Sequence, residues 1–314
     1  MKIKVLTLTS LTALAAAAFS LSVAQAQTNQ IPRDHRFGRA VPASAFINRD
    51  VVTQAGKNVG QIEEAIFDME SGHILYLGLN LKGAGKGDMV AVPPMLFKLP
   101  TGQQAAAKNK DTGGIKAALQ TRPPFVIRAD EQALQGAPKF AKTGEEMAQA
   151  EYVDKVYSHF NQAKWWAGAA GSTAGQFNHI RRVSQVTKFT VQDSANQNIG
   201  KVETVLFDLP AGRVSYVVLD PANNIVNKKA LLPIPPMAFT KPAEGGQKLV
   251  LNLDKDKLNN APMINRDDLT ADDVKKLSDP TFAAQVYNYY GKEPWFQGEN
   301  IPSPTGPDRQ QTNQ

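Results

Sequence analysis

Cysteine is absent from the chain, and its absence excludes several kinds of structure and chemistry. None of the 314 residues is a cysteine. The protein therefore has no disulfide framework, no thiolate nucleophile and no cysteine-ligated zinc site. Its folded state must rest on an apolar core.

Histidine is also scarce, which limits the chemistry that this residue usually performs. No two histidines stand at a spacing typical of metal ligands, so we expect structural or surface roles and no metal site. The four histidines are His35, His73, His159 and His179.

Catalytic motifs and strong charge are missing as well. No serine lies in a Gly-x-Ser-x-Gly elbow, and no base is placed by spacing to activate one. The formal net charge of +6 is too small to indicate nucleic-acid binding. We therefore predict a protein that is not an enzyme, needs no cofactor and binds no nucleic acid.

The N-terminus has the pattern of an export signal. Lys2 and Lys4 precede residues 5–24, which contain no charged residue and no proline, and Ala24-Gln25-Ala26 suits cleavage. We predict a signal peptide over 1–26, cleaved after Ala26, and a periplasmic or secreted protein. A retained membrane anchor is the alternative, because 5–24 is about long enough to span a bilayer. The modest apolar content of this stretch favours cleavage.

A duplicated segment dominates the rest of the chain. Residues 59–80 read VGQIEEAIFDMESGHILYLGLN, and residues 199–220 read IGKVETVLFDLPAGRVSYVVLD. Each copy predicts two strands joined by a tight turn, with Gly72 at the positive-φ position in the first. Both strands carry apolar residues on each face toward the turn, which favours a closed or sandwiched sheet.

The duplication extends beyond this hairpin. VPPMLF at 92–97 returns as IPPMAF at 234–239, and Trp165-Trp166 returns as Trp295-Phe296. A capping pattern precedes apolar residues at helical spacing in the first copy. In the second copy, Asp279-Pro280 begins a helix that stops at Gly291. Each copy thus predicts a sheet followed by a short helical tail.

The repeated residues resemble the PRC-barrel family. The resemblance rests on Gly60 and Gly200 and on Phe-Asp-x-x-x-Gly at 67–72 and 207–212. It also rests on Val92-Pro93 and Ile234-Pro235, where the next predicted strand ends. It implies a small, strongly bent sheet that closes as a barrel. It also implies a contact or assembly module that has no catalytic residues.

These patterns predict a mainly β protein with two tandem small PRC-like β-barrels, each followed by a short helical tail. The linker is rich in small residues, and the C-terminal tail is polar and proline-rich. The predicted divisions are signal peptide 1–26, flexible arm 27–45, first module 46–166, linker 167–178, second module 179–296 and disordered tail 297–314.

Several repeated residues are predicted to serve the turns and the barrels. Asp68 and Asp208 stand just before a strand reversal, where a carboxylate accepts amide protons of the turn. Catalytic acids or metal ligands are the alternative, and retention in both copies favours the shared folding role. The structural set is Gly60, Asp68, Gly72, Gly200, Asp208 and Gly212.

The helical tails are rich in aromatic residues. An exposed aromatic surface would suit partner binding, because tyrosine and tryptophan dominate interface hot spots. Packing of each tail onto its barrel, or between the modules, is the alternative. The candidate interface residues are Tyr157, Trp165, Trp166, Tyr287, Tyr289, Trp295 and Phe296.

The first copy carries a basic insertion between Pro100 and Pro124 that the second copy lacks. A solvated loop is one interpretation, and a contact for an acidic partner or an anionic lipid is the other. The candidate anion contacts are Lys108, Lys110, Lys116 and Arg122.

Taken together, the sequence predicts a non-catalytic interaction or assembly protein of the bacterial envelope, with an envelope protein as its partner. Two alternatives stay open. The first is binding of a small apolar or anionic ligand between barrel and aromatic tail. The second is peripheral binding to an anionic membrane.

Overall fold

A computed structural model of the chain describes most of both predicted modules. Among the described residues, no helix is both long and apolar enough to cross a membrane. The predicted signal peptide, the basic insertion, most of the linker and the C-terminal tail lie outside these residues. The described ranges are 40–83, 88–98, 123–141, 149–166, 177, 179–222, 230–240, 246–253, 255–266, 269 and 275–296.

The first half of the chain contains eight strands and two α-helices within the described ranges. They are β1 (Val41–Pro42), β2 (Asp50–Thr53), β3 (Asn58–Asp68), β4 (Ile74–Leu81), β5 (Asp88–Val92), β6 (Phe97–Lys98), β7 (Phe125–Ile127), α1 (Glu131–Gln135), β8 (Lys139–Ala141) and α2 (Ala150–His159). Short 3₁₀ helices occupy Ala43–Ala45 and Pro94–Leu96.

The second half repeats this order. Its elements are β9 (Ile180–Arg182), α3 (Val183–Val186), β10 (Thr190–Gln192), β11 (Asn198–Asp208), β12 (Arg213–Pro221), β13 (Ala230–Ile234), β14 (Phe239–Thr240), β15 (Lys248–Leu251), β16 (Ile264–Asn265) and α4 (Pro280–Tyr289). Two 3₁₀ helices occupy Pro236–Ala238 and Lys255–Asn260.

Each module is organised around one long, bent strand. Strands β3 and β11 have 11 residues each, and β-bulges interrupt their pairing with β4 and β12. The two sheets have eight strands each and share one strand order. Seven of the eight strands follow the order β6-β7-β2-β3-β4-β5-β8 in the first sheet and β14-β15-β10-β11-β12-β13-β16 in the second. The eighth strand lies off this path: β9 pairs with β3 in the first sheet, and β1 pairs with β11 in the second. The predicted mainly β fold, with two tandem β modules and few short helices, is confirmed.

Glycine is required where the long strand passes close to its neighbour. Gly60 and Gly200 have φ of 147° and 146°. A Cβ atom on them would lie 2.0 Å from Asn80 O and 2.2 Å from Asp220 O. No side chain fits this approach, so both copies keep glycine. The turn glycine Gly72 has φ of 71°, as its sequence position predicts.

The first strand of each half crosses to the sheet of the other half. Strand β1 pairs with β11 through Val41↔Phe207, and β9 pairs with β3 through Phe67↔Arg181. We call β1 and β9 the crossing strands. The arm predicted over 27–45 is therefore wrong for residues 40–45, which form β1 and a 3₁₀ helix and are largely buried.

The two modules share one apolar core. Phe207 of the second module contacts Phe46 and Phe67 of the first edge to face, with ring centroids 5.1 and 5.7 Å away. Buried side chains of both halves belong to this same cluster. The modules therefore pack as two halves of one unit, because neither half encloses this cluster by itself.

The helical tails cover the outer faces of the sheets. Asp279 caps the N-terminus of helix α4, and its carboxylate accepts from the Thr281 and Phe282 amides at 2.7 and 3.0 Å. These two bonds lower the pKa of Asp279. The predicted start of this helix is thus confirmed, and Gly291 follows its end at φ of 64°.

Candidate functional site

Four half-buried side chains form a continuous row where the two modules meet: Trp165, His73, Arg213 and Trp295. We call them the junction row. The His73 ring stacks on Trp165, with centroids 3.4 Å apart and planes within 4°. Arg213 Nη1 lies 3.2 Å from His73 Nδ1, and the guanidinium carbon lies 5.5 Å from the centroid of Trp295. The row links the tail of one module to the tail of the other.

The centre of the row is fixed by backbone pairing between the two hairpin turns. His73 and Arg213 face each other in an antiparallel bridge. The Ile74 amide donates to Gly212 O at 2.9 Å, and the Val214 amide donates to Gly72 O at 2.8 Å. These flanking bonds make 73 and 213 a non-hydrogen-bonded pair, the type in which side chains lie closest.

Hydrogen bonding to Arg213 fixes the tautomer of the His73 imidazole. Arg213 Nη1 also donates to Ser71 O at 2.9 Å. Because a guanidinium has donors and no acceptor, His73 Nδ1 must accept from it. The imidazole is then neutral, with its proton on Nε2.

The tails hold the two tryptophans of the row from behind. Trp166 is 7% exposed, contacts Trp165 edge to face, and donates its Nε1 proton to Asp154 at 3.1 Å. In the second tail, Phe296 contacts Trp295 edge to face at 5.4 Å and also contacts Tyr287. Each tryptophan therefore rests on an aromatic neighbour, and only part of its surface is available to a partner.

Three of the candidate interface residues are too deeply buried to form an exposed interface. Tyr157 and Tyr287 are fully buried, and Trp166 is nearly so. They pack the tails onto the sheets, which is the alternative weighed for these aromatics. Trp165, Tyr289, Trp295 and Phe296 remain half-buried.

Burial also suppresses ionisation of the tail tyrosines. Desolvation raises the pKa of the Tyr157 and Tyr287 hydroxyls well above the ordinary value, because each ring is enclosed. The Tyr287 hydroxyl donates to Ser215 O at 3.1 Å. Desolvation raises the pKa of Tyr216 and Tyr290 in the same way.

His159 and Tyr289 perform the same task in the two copies. The His159 ring bonds Ala133 O through Nε2 at 2.7 Å, and the Tyr289 hydroxyl donates to Lys257 O. Both carbonyls belong to equivalent short helical segments. His159 therefore has the same structural role in the first copy that Tyr289 has in the second.

Asp68 and Asp208 serve the turns that follow them. Asp68 accepts from the Ser71 amide at 2.9 Å, and Asp208 accepts from the Ala211 amide at 3.3 Å. Asp68 also accepts from the His179 amide at 3.1 Å. The predicted turn role is observed, and Asp68 in addition anchors the start of a crossing strand.

Sequence reasoning missed one buried charged cluster. Glu64 is fully buried in β3 and accepts from the hydroxyl of Ser184, from the Ser184 amide at 3.1 Å and from the Ala65 amide at 3.1 Å. Arg182 lies nearby; desolvation lowers the pKa of its guanidinium, and the charge of Glu64 opposes that shift. The position equivalent to Glu64 is Thr204 in the second half, and the position equivalent to Arg182 is Pro42 in the first half, so the repeat carried no signal for this cluster.

An open groove lies between the first sheet and its tail. It has a volume of about 570 Å³, and its lining includes Lys139 after α1 together with Lys155, Ser158 and His159 of α2. Both lysines are exposed. The groove therefore presents positive charge between barrel and helix.

The structure gives no information on the four candidate anion contacts. Lys108, Lys110, Lys116 and Arg122 lie outside the described residues. Within the ranges that the structure does describe, no group of three or more His, Asp or Glu side chains is arranged to hold a metal ion.

The geometry defines a class of protein: two bent β sheets in tandem that exchange their first strands and carry helical tails. The family model of the PRC-barrel domain matches residues 39–103 and 179–258. The chain therefore carries two PRC-barrel domains in tandem. Each matched range begins at a crossing strand. No curated protein matches the sequence.

Proposed function

We propose that this protein is a non-catalytic interaction or assembly protein of the bacterial envelope, and that the junction row is its contact surface. One observation carries the proposal: two half-buried tryptophans flank His73 and Arg213 in a single row. Tryptophan and arginine are the residues most enriched in interface hot spots.

The position of the row supports a role in assembly. Its four residues come from both hairpin turns and both tails, so it exists only when the two modules are docked. A partner that binds there recognises the complete protein. Placement in the envelope rests on the signal-peptide pattern of residues 1–26.

The experiment is in-cell crosslinking of the tagged protein in its own host, followed by mass spectrometry of what co-purifies. We expect one dominant envelope protein, lost on Trp165→Ala and on Trp295→Ala. Tyr289→Ala is the matched control, because this half-buried aromatic residue lies outside the junction row and donates its hydroxyl to Lys257 O in the 3₁₀ helix Lys255–Asn260. A partner retained equally by all three variants would show that the row is not the contact surface.

A small anionic ligand in the groove of Lys139 and Lys155 is a second candidate. The groove lies between barrel and tail and carries two exposed lysines. Native mass spectrometry of protein purified from its host would show extra mass, lost on Lys155→Glu and kept on Lys188→Glu. Protein that carries only its own mass from the host would remove this candidate.

A further inference from the structure

Each PRC-barrel domain contributes its first strand to the sheet of the other domain. In one direction, Val41 and Pro42 pair with Phe207 and Leu206. In the other, Ile180, Arg181 and Arg182 pair with Asp68, Phe67 and Ile66. The exchange is reciprocal, so each sheet has an acceptor edge and each domain has a donor strand.

The crossing strands are anchored beyond their backbone pairing. The Ala40 amide donates to Ser278 Oγ at 3.0 Å, next to the tail of the second module. On the opposite side, the Met69 amide donates to His179 O at 3.0 Å. Ala40, Val41 and Arg182 are all at most 8% exposed.

The hairpin tips complete this interface and make it self-complementary. A Cβ added to Gly72 would lie 3.1 Å from Met237 Cε of the second module, and one added to Gly212 would lie 3.6 Å from Pro94 Cγ of the first, so each turn backbone comes close to the other module. Equivalent turns thus dock on equivalent Pro-Pro-Met segments, as in a two-fold dimer of single domains. The contacts that join the modules are made by residues of the modules themselves.

We propose that this interface accepts a second copy of the chain: two copies exchange whole modules and form a closed dimer. The first module of one chain then pairs with the second module of the other. Every contact named above is preserved in that dimer, because only the connection between the modules changes its path. Reciprocal pairing closes the assembly at two chains.

Concentration decides which form is made. The connection between modules holds them at an effective concentration on the order of millimolar, which favours pairing within one chain. Chains that meet before their modules dock can pair between chains, and separation then requires opening the shared core. The proposal does not depend on the partner proposed above. Such a dimer presents two junction rows and so doubles the valency of that surface.

The test uses the facing pair His73 and Arg213 in a chain without native cysteine. His73→Cys and Arg213→Cys full-length chains, carrying different tags, are unfolded, mixed, refolded together at high concentration and oxidised. In an exchanged dimer the two cysteines face each other as a non-hydrogen-bonded pair, whose short Cα separation suits a disulfide. We expect the mixed disulfide in several-fold excess over either homodisulfide.

Two controls keep the result decisive. The same variants refolded separately and then mixed should lose the excess of mixed disulfide. The double variant, His73→Cys with Arg213→Cys in one chain refolded at low concentration, should form its disulfide within a monomer. A mixed disulfide that does not exceed the two-fold ratio over either homodisulfide given by random pairing of equal amounts, or a double variant that forms no internal bond, would overturn the proposal.

Discussion

Single residues in this protein are retained for backbone geometry more than for chemistry. Gly60 and Gly200 combine positive φ with a backbone oxygen at the place where a Cβ would stand. Gly72 and Gly212 lie at the tips that dock on the other module. The repeated residues therefore mark close approaches of the backbone.

The glycine of the long strand gives the first prediction. Gly60→Ala should lower the free energy of unfolding by about 2 to 4 kcal/mol, because both backbone strain and the contact with Asn80 O must be relieved. Gly56→Ala is the control: it also has positive φ but has no atom within 4 Å of its Cβ position. Its cost should be about 1 to 2 kcal/mol. Equal costs in urea unfolding would contradict this explanation.

The buried carboxylate gives the second prediction. Ser184→Ala removes the hydroxyl that donates to Glu64 and should destabilise the protein by about 1.5 to 3 kcal/mol, since a buried charge loses a partner. Ser44 is the equivalent residue in the first half and faces no such carboxylate, because the second module has Thr204 there. Ser44→Ala should leave the urea midpoint almost unchanged. A similar loss for both variants would assign the effect to the local backbone.

At the scale of elements, the crossing strands explain how the two modules are joined. Strand β1 contributes two residues and β9 contributes three, so neither gives an alternating pattern in the sequence. The hairpins β3–β4 and β11–β12 were predictable, because their partners are adjacent in the chain and Gly72 marks the turn. The partner of Val41 is Phe207, and no local propensity carries such a distant pairing.

The dependence on contacts between distant residues also explains which features of the candidate site could not be predicted from the sequence. The repetition of Trp165-Trp166 as Trp295-Phe296 was visible, as was the replacement of His73 by Arg213. Their convergence was not, because it depends on the docking of the two hairpin turns. Burial of Tyr157 and Tyr287 likewise follows from tertiary packing of the tails.

A crossing strand gives the third prediction. Val41→Asp places a charge at a buried position beside Phe207 and should destabilise the whole protein by about 2 to 4 kcal/mol. Ser44→Asp, three residues later on an exposed position, should have little effect. Urea unfolding followed by tryptophan fluorescence measures both variants. A normal midpoint for Val41→Asp would show that β1 does not contribute to the fold of the second module.

At the scale of the whole molecule, enclosed tyrosines make stability sensitive to high pH. Burial raises the pKa of Tyr157, Tyr216, Tyr287 and Tyr290 above the ordinary value of 10.0. The folded state therefore holds protons that the unfolded chain releases, so this stability is complete below pH 10 and falls as the pH rises further.

The loss of stability with rising pH gives the fourth prediction. Titration above the ordinary tyrosine pKa should produce tyrosinate absorbance and loss of near-ultraviolet circular dichroism together, because the buried hydroxyls ionise only on unfolding. Ionisation of all seven tyrosines at their ordinary pKa with native circular dichroism retained would contradict the burial of the tails.

The shared core and the crossing strands make the two PRC-barrel domains one cooperative unit. Differential scanning calorimetry of the full chain tests this interlocking most simply. We expect one transition whose calorimetric enthalpy equals its van't Hoff enthalpy, and Val41→Asp should shift that entire transition to lower temperature. Two separable transitions, of which Val41→Asp displaces only one, would show that the domains are independent.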